Sequence, residues 1–127
     1  MINDIMDISP KLWGFSGWIY LTSVALVYTP DKKDKYLSFF SNLILPCSSC
    51  GYFYEYNLKK LNDALKNKNT LLEWLLNIRN EINIKQNKKI LTLDESINQI
   101  FSNRKPNTWT YYIILLLLII IIYLFNK

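Results

Sequence analysis

Hydrophobic and polar positions between Ser9 and Phe101 recur at helical spacing, in runs separated by short polar or proline-containing connections. The alternation of β-branched residues that is typical of strands is absent, and glycine is scarce. The pattern therefore predicts an all-α fold, a compact four-helix bundle with a short fifth helix. The predicted helices cover residues 10–28, 31–43, 48–65, 70–86 and 92–101.

Three of the helix starts carry local signals. Ser9 is a preferred N-cap residue, and Pro10 suits the first helical position because its missing N–H needs no partner there. Thr92 and Glu95 form the pattern of a capping box. The third helix is predicted to begin at the cysteines, because Pro46 precedes them and no proline interrupts the run that follows.

The stretch from Trp109 to Phe125 is apolar and uncharged over roughly 17 residues, against the ~20 that usually span a bilayer. It predicts a C-terminal transmembrane helix, short enough for a thinner membrane such as that of the endoplasmic reticulum. Aromatic residues lie at both of its ends, as in interfacial belts. The alternative is a buried core helix, which is disfavoured because a domain this small cannot cover a helix that is hydrophobic on every face.

These segments predict three parts: a helical domain over residues 1–102, a basic linker over 103–108 and a tail anchor over 109–125. The first residues lack the basic start and long apolar core of a signal peptide. Arg104 and Lys105 favour a cytosolic position for residues 1–107, although Lys127 on the other flank opposes this orientation. The net charge of +5 favours anionic lipid, whereas the scattered lysines lack the dense basic run of a nucleic-acid-binding protein.

Both cysteines of the chain lie in the segment Leu45-Pro46-Cys47-Ser48-Ser49-Cys50. A structural zinc site takes four ligands, and this chain has two cysteines and no histidine. A disulfide that closes so short a loop adds little stability. The spacing therefore favours a redox pair whose thiolate is stabilised at a helix start, with two inert buried thiols as the open alternative.

A redox pair that makes disulfides with oxygen needs an electron acceptor, and that chemistry is normally supplied by a flavin. The glycine-rich fingerprint of a dinucleotide-binding domain is absent, so a flavin would have to lie between helices. Flat apolar walls and polar groups are available for it, although spacing alone favours ordinary core packing for the tryptophans and a solvated face for the polar residues. These candidates are Trp13, Trp18, Trp74, Asn80, Asn83, Lys85 and Lys88.

Several motifs follow one another along the chain in a fixed order. They are W-G-x-x-x-W-x-x-L from Trp13 to Leu21, then LPCSSC, then W-L-x-x-x-x-N-E-x-N from Trp74 to Asn83, then Lys85 and Lys88. This order, which covers residues 11–101, resembles the ERV/ALR family of FAD-linked sulfhydryl oxidases. The small size and the single C-x-x-C pair are similar to its viral, poxvirus-type branch.

The resemblance implies an enzyme that oxidises two thiols to a disulfide and passes the electrons through FAD to oxygen, giving hydrogen peroxide. It implies that Cys47 exchanges with the substrate thiol and that Cys50 lies against the flavin. Thr22 and Arg79 stand where the family has histidines that pack on the adenine half of FAD. The implied cofactor-binding residues are Trp13, Gly14, Trp18, Thr22, Trp74, Arg79, Asn80, Asn83, Lys85 and Lys88.

The partners expected on this basis are oxygen and a thiol substrate protein, either thioredoxin-like or a small C-x-x-C carrier. The anchor predicts attachment to a membrane derived from the endoplasmic reticulum or to a virion membrane. The tyrosine- and phenylalanine-rich faces of the first two helices suit a homodimer. Two alternatives stay open: a flavin-free thiol–disulfide relay, and a non-catalytic tail-anchored interaction protein.

Overall fold

The computed structural model describes residues 7–102 and 107–127, and within these two ranges it contains helices and no strand. The predicted all-α fold is therefore confirmed. Most of the predicted linker, including Arg104 and Lys105, lies outside the described residues. The helices are α1 (Pro10–Leu26), α2 (Lys33–Ser41), α3 (Ser48–Asn57), α4 (Leu61–Ala64), α5 (Lys68–Lys85), α6 (Leu93–Ser102) and α7 (Thr108–Phe125).

The helix starts follow the capping chemistry of the sequence. The Ser9 hydroxyl accepts a hydrogen bond from the Lys11 amide, with Pro10 in the first helical position. The Thr92 hydroxyl accepts from the Glu95 amide, and the Glu95 carboxylate accepts in return from the Thr92 amide. The single bond at Ser9 and the reciprocal pair at Thr92 and Glu95 confirm the predicted caps of α1 and α6.

The start of α5 differs from the prediction by two residues. The sequence pattern predicts a start at Thr70, but the helix begins at Lys68. The difference arises because Asn67 is the N-cap: its side chain accepts from the Thr70 amide, and the Thr70 hydroxyl accepts from the Asn67 amide. An asparagine supplies the same acceptor that serine or threonine would supply at this position.

The prediction of one continuous helix over residues 48–65 was wrong. Helix α3 ends at Asn57, a 3₁₀ turn covers Leu58–Lys60, and the short helix α4 follows. The carbonyl of Asn57 accepts a hydrogen bond of 3.0 Å from the indole N–H of Trp74 on α5. The Asn57 side chain donates to the Phe53 carbonyl and to the Glu81 carboxylate. Because these bonds engage Asn57 with α5, the chain turns at this point.

Helix α5 lies at the centre of the fold and contacts α1, α3, α4 and α6. The indole ring of Trp74, on this helix, packs edge-on against Phe40 and Tyr54. Its centroid lies 5.6 Å from that of Phe40 and 5.8 Å from that of Tyr54. The buried hydroxyl of Tyr54 donates to the Phe40 carbonyl, so α3 is joined to α2 within the core. The fully buried core also includes Tyr28, Leu61, Leu65, Leu71, Leu75 and Ile78.

Helix α7 is long and apolar enough to cross a membrane, and none of its length is buried within the structure. Every described residue from Thr108 to Phe125 is exposed. A core helix of the same composition would be covered by the domain. The structure thus agrees with the prediction of an apolar helix suited to a membrane anchor.

Candidate active site

Helix α3 begins directly at the two cysteines, which form a disulfide in the structure. Cys47 is the N-cap residue of the helix, and its sulfur lies 3.2 Å from the amide nitrogen of Cys50, which donates to it. The hydroxyl oxygen of Ser49 lies 3.4 Å from the same sulfur. When the disulfide opens, these donors and the helix N-terminus stabilise negative charge on Cys47.

The second cysteine forms part of a pocket between α1, α5 and the connection that follows α5. Cys50 is fully buried in the chain and faces a cavity of about 210 Å³. The remaining walls come from aromatic, aliphatic and polar side chains of separate helices. They are Pro10, Trp13, Gly14, Phe15, Trp18, Arg79, Ile82, Asn83, Gln86, Lys88, Leu91 and Gln99.

The pocket brings together about half of the site residues named from the sequence. Those that line it are Trp13, Gly14, Trp18, Cys50, Arg79, Asn83 and Lys88. Those that lie elsewhere are Thr22, Cys47, Trp74, Asn80 and Lys85. Ile82 and Gln86 were missed, although they follow Arg79 at helical spacing on the same face of α5. Leu91 and Gln99 carry no local signal, because only the tertiary fold brings them to this pocket.

Two of the predicted asparagines hold the loop that carries Lys88. The Asn80 side chain both donates to the Leu91 carbonyl and accepts from the Leu91 amide, each at 2.9 Å. The Asn83 side chain donates to the Lys89 carbonyl, and the backbone carbonyl of Asn83 accepts from the Lys88 amide. These bonds fix the turn at Asn87, where φ is 54°. Asn80 thus positions the rim of the pocket from outside it.

Three other predicted residues also lie away from the pocket. Trp74 is buried in the core, with its indole N–H on the Asn57 carbonyl. Thr22 is buried on α1, and Lys85 is exposed in the last turn of α5. None of the three side chains is part of the pocket wall.

The aromatic wall depends on a glycine one turn after Trp13. A Cβ atom on Gly17 would lie 2.8 Å from Cε3 of Trp13, closer than van der Waals contact allows. The bare backbone of Gly17 therefore lets the Trp13 ring lie along α1. In this position the ring centroids of Trp13 and Trp18 are 6.4 Å apart.

Arg79 places a buried positive charge in the pocket. Its side chain is only 7% exposed, and it donates to the Gln99 amide oxygen at 2.8 Å and to the Ser96 hydroxyl at 3.5 Å. Both partners are neutral, and the buried Nε has no hydrogen-bond partner in the described part of the chain. Burial lowers the pKa of Arg79, yet a guanidinium stays protonated in proteins. Such a group is costly to bury without a counter-anion.

Comparison with known proteins decides the family. No family model matches the chain. The chain is 34% identical over 113 residues to a protein of Acanthamoeba polyphaga mimivirus named "Probable FAD-linked sulfhydryl oxidase", and the match covers 82% of this chain and 79% of the relative. The chain belongs to the FAD-linked sulfhydryl oxidases.

Membership in the sulfhydryl oxidases confirms the resemblance drawn from the ordered motifs, including its viral character. The protein is an FAD-dependent thiol oxidase whose partners are thiol substrates and oxygen. The relay and the interaction protein are set aside as explanations of the cysteine pair.

The residues of the pocket fit the cofactor of a sulfhydryl oxidase. Trp13 and Trp18 offer apolar ring faces beside Cys50, as a flat isoalloxazine requires. The unpartnered Nε of Arg79 and the absence of an acidic partner among the described residues suit an anionic ligand, and FAD carries a diphosphate. Lys88 adds a second cation at the rim.

Replacing Asn80 with alanine tests whether the loop that carries Lys88 depends on this side chain. We expect Asn80→Ala to lower the free energy of unfolding by about 1–3 kcal/mol, because both polar groups of Leu91 lose their partner. We also expect weaker FAD binding, because Lys88 is no longer held at the pocket. Urea unfolding and titration of the FAD-free protein with FAD measure the two effects.

Asn77→Ala is the matched control, because Asn77 is exposed on the same helix and lies outside this pocket. Its unfolding free energy should change by less than about 0.5 kcal/mol, with FAD affinity unchanged. Equal effects of the two substitutions would show that Asn80 has no special role in the loop.

Proposed function

We propose that Cys47 exchanges with the thiol of the substrate and that Cys50 is the cysteine that contacts FAD. The observation that carries this assignment is that Cys50 lines the pocket with the two tryptophans, whereas Cys47 lies outside it at the start of α3. One cysteine of the disulfide thus lines the pocket that we assign to FAD, and the other does not.

Exchange at Cys47 proceeds by attack of a substrate thiolate on its sulfur. The bond between Cys47 and Cys50 breaks, a mixed disulfide forms on Cys47, and Cys50 leaves as a thiolate. A second substrate thiolate then attacks the substrate sulfur of the mixed disulfide, which releases Cys47 as a thiolate. The Cys50 amide and the helix N-terminus stabilise this leaving group. The product is the disulfide of the substrate.

The two thiols of Cys47 and Cys50 would have to be reoxidised to the disulfide by a bound cofactor. FAD supplies a two-electron acceptor for the two thiols, and oxygen then takes the electrons to give hydrogen peroxide. The chain contributes walls and charge to this step. Trp13, Gly14 and Trp18 hold the ring system, and Arg79 and Lys88 balance the negative charge of the cofactor.

Some of the predicted site residues act by holding neighbouring parts of the chain in place. Asn80 and Asn83 hold the loop that carries Lys88, and Trp74 fixes α3 on α5. Thr22 and Lys85 complete the set of cofactor-binding residues proposed from the family motifs. For these two residues the support is the sequence match alone.

The visible spectrum of the purified chain tests the thiol chemistry. We expect flavin absorption at about 450 nm that bleaches when a dithiol is added under nitrogen and returns in air. Cys47→Ser and Cys50→Ser should each keep the flavin bands and lose the rapid bleaching, because both sulfurs are needed for exchange. A serine variant that is reduced at the rate of the unchanged protein would contradict the assignment.

The role of Arg79 is tested by a pair of substitutions. Arg79→Met keeps the length of the side chain and removes its charge, and we expect FAD to bind at least about tenfold more weakly. Arg79→Lys keeps the charge without the planar fork, and we expect an intermediate affinity. Equilibrium titration with FAD, followed by flavin fluorescence, gives both dissociation constants. Unchanged affinity in Arg79→Met would exclude a contact between this charge and the cofactor.

We propose that residues 1–102 form the oxidase domain, 103–108 a linker, and 109–125 the anchor. The exposed apolar surface of α7 supports the anchor. The basic residues of the linker support an orientation with residues 1–107 in the cytosol, on a virion membrane or one derived from the endoplasmic reticulum. Cytosolic thiols are normally reduced, so such an enzyme acts on particular partners.

Microsomes that carry the full chain test this orientation. We expect the chain to stay in the pellet after extraction at alkaline pH, because α7 is buried in lipid. We also expect protease added from outside to remove residues 1–107. Protection of the helical domain until detergent is added would reverse the proposed orientation.

We propose a thioredoxin-like protein or a small C-x-x-C carrier as the substrate.

We also propose that two copies of the chain pair through α1 and α2. The outer face of these helices supports the pairing, because Tyr20, Val24 and Phe39 line an open groove there. Sedimentation equilibrium of the purified chain distinguishes one copy from two.

A further inference from the structure

The disulfide is nearly closed to solvent, although its proposed chemistry requires a substrate thiolate to reach it. The exposed fraction of Cys47 is 3%, and that of Cys50 is 0%. An attacking sulfur must approach Cys47 along the line of the disulfide bond. Part of the structure beside Cys47 therefore has to move before exchange can occur.

The chain segment before α1 lies beside Cys47. The Asp7 carboxylate accepts two hydrogen bonds from Ser48, one from its amide at 3.1 Å and one from its hydroxyl at 2.9 Å. The Ile8 amide donates to the Pro46 carbonyl at 2.9 Å. Pro46 and Ser48 are the residues on either side of Cys47 in the chain. Asp7 and Ile8 therefore hydrogen-bond to the chain on both sides of the proposed exchanging cysteine.

We propose that Asp7 and Ile8 form a strap that limits the access of thiol substrates to Cys47, and that the Asp7 carboxylate holds the strap in place. This inference rests on the proposed role of Cys47 as the exchanging cysteine. It assigns a specificity-determining role to Asp7, a residue outside both the cysteine motif and the cofactor pocket.

The bonds of the strap are of a kind that can open readily. Asp7 and Ile8 are both exposed, so water competes for each of these hydrogen bonds. The segment is continuous with α1 through the Ser9 cap, and the Trp13 indole donates to the Ile8 carbonyl at 3.2 Å. The strap is therefore continuous with α1, and its exposed bonds to the cysteine loop can open while the helix itself stays in place.

Opening of the strap would expose backbone groups that a substrate can use. The Pro46 carbonyl and the Ser48 amide, freed from Ile8 and Asp7, present one acceptor and one donor on either side of Cys47. An extended peptide segment matches this pair, as in recognition by strand addition. The favoured substrate is thus a cysteine in an extended segment, whose backbone replaces the strap.

The rate at which dithiothreitol reduces the disulfide of the full chain tests the proposal directly. Reduction forms two protein thiols and oxidised dithiothreitol, and acid quenching with a maleimide counts the thiols by mass, without reference to the flavin. We expect Asp7→Ala to be reduced about five- to tenfold faster, because hydrogen bonds of this kind change an equilibrium about two- to tenfold each. An unchanged rate in Asp7→Ala would overturn the strap.

Two further variants distinguish the strap from simple repulsion between the Asp7 carboxylate and the thiolate of the attacking dithiothreitol. Asp7→Asn removes the charge but keeps an amide that can bond to Ser48, so its rate should stay within about twofold of the unchanged protein. Asp34→Ala removes an exposed carboxylate from α2 and should have no effect. If Asp7→Asn is as fast as Asp7→Ala, charge rather than the strap governs the rate, and the proposal fails.

The assignment of Cys47 is tested in a separate reaction, in which the same protein variants are treated with reduced glutathione. Glutathione forms a mixed disulfide with the attacked cysteine, and peptide mass mapping identifies which cysteine carries it. Glutathione on Cys50 would overturn the proposed exchange role of Cys47, whatever the rates of the Asp7 variants. Glutathione on Cys47 with an unchanged Asp7→Ala rate would overturn the strap alone.

Discussion

The packing of α3 on α5 is the constraint on which the active site depends. Trp74 makes this contact through its ring, which lies between Phe40 and Tyr54, and through its indole N–H, which donates to the last carbonyl of α3. With the end of α3 fixed in this way, the start of the same helix meets the face of α5 that bears Arg79. Trp74, on α5, holds the far end of α3 in place. Cys50, near the start of α3, is thereby brought to the pocket beside Arg79.

Much of the fold follows from local features of the sequence. The helical period indicated the helical class and the order of the main helices, and the side chains at Ser9 and Thr92 marked two starts correctly. The third helix was predicted too long because nothing near Asn57 in sequence indicates a break. Its carbonyl is taken by a residue on α5, and such a bond becomes visible only when the two helices are packed.

The site was predictable to the extent that the family motifs mark its residues. The motifs identified both cysteines, the tryptophans of α1 and the polar face of α5, but not how each side chain is used. Asn80 is a cofactor-binding candidate from the motifs, and in the structure its amide makes one donated and one accepted hydrogen bond with Leu91. Gln99 was not foreseen because it comes from α6 and joins the pocket by bonding to Arg79.

The motif resemblance places Arg79 where a histidine is expected, and an arginine at this position responds differently to acidity. A histidine gains and loses its proton between about pH 5 and 8, whereas a guanidinium keeps its charge throughout that range. Its neighbours Ser96 and Gln99 do not titrate there, and the chain contains no histidine at all. The buried guanidinium therefore keeps its positive charge, and its bonds to Ser96 and Gln99, at neutral and at mildly acidic pH alike.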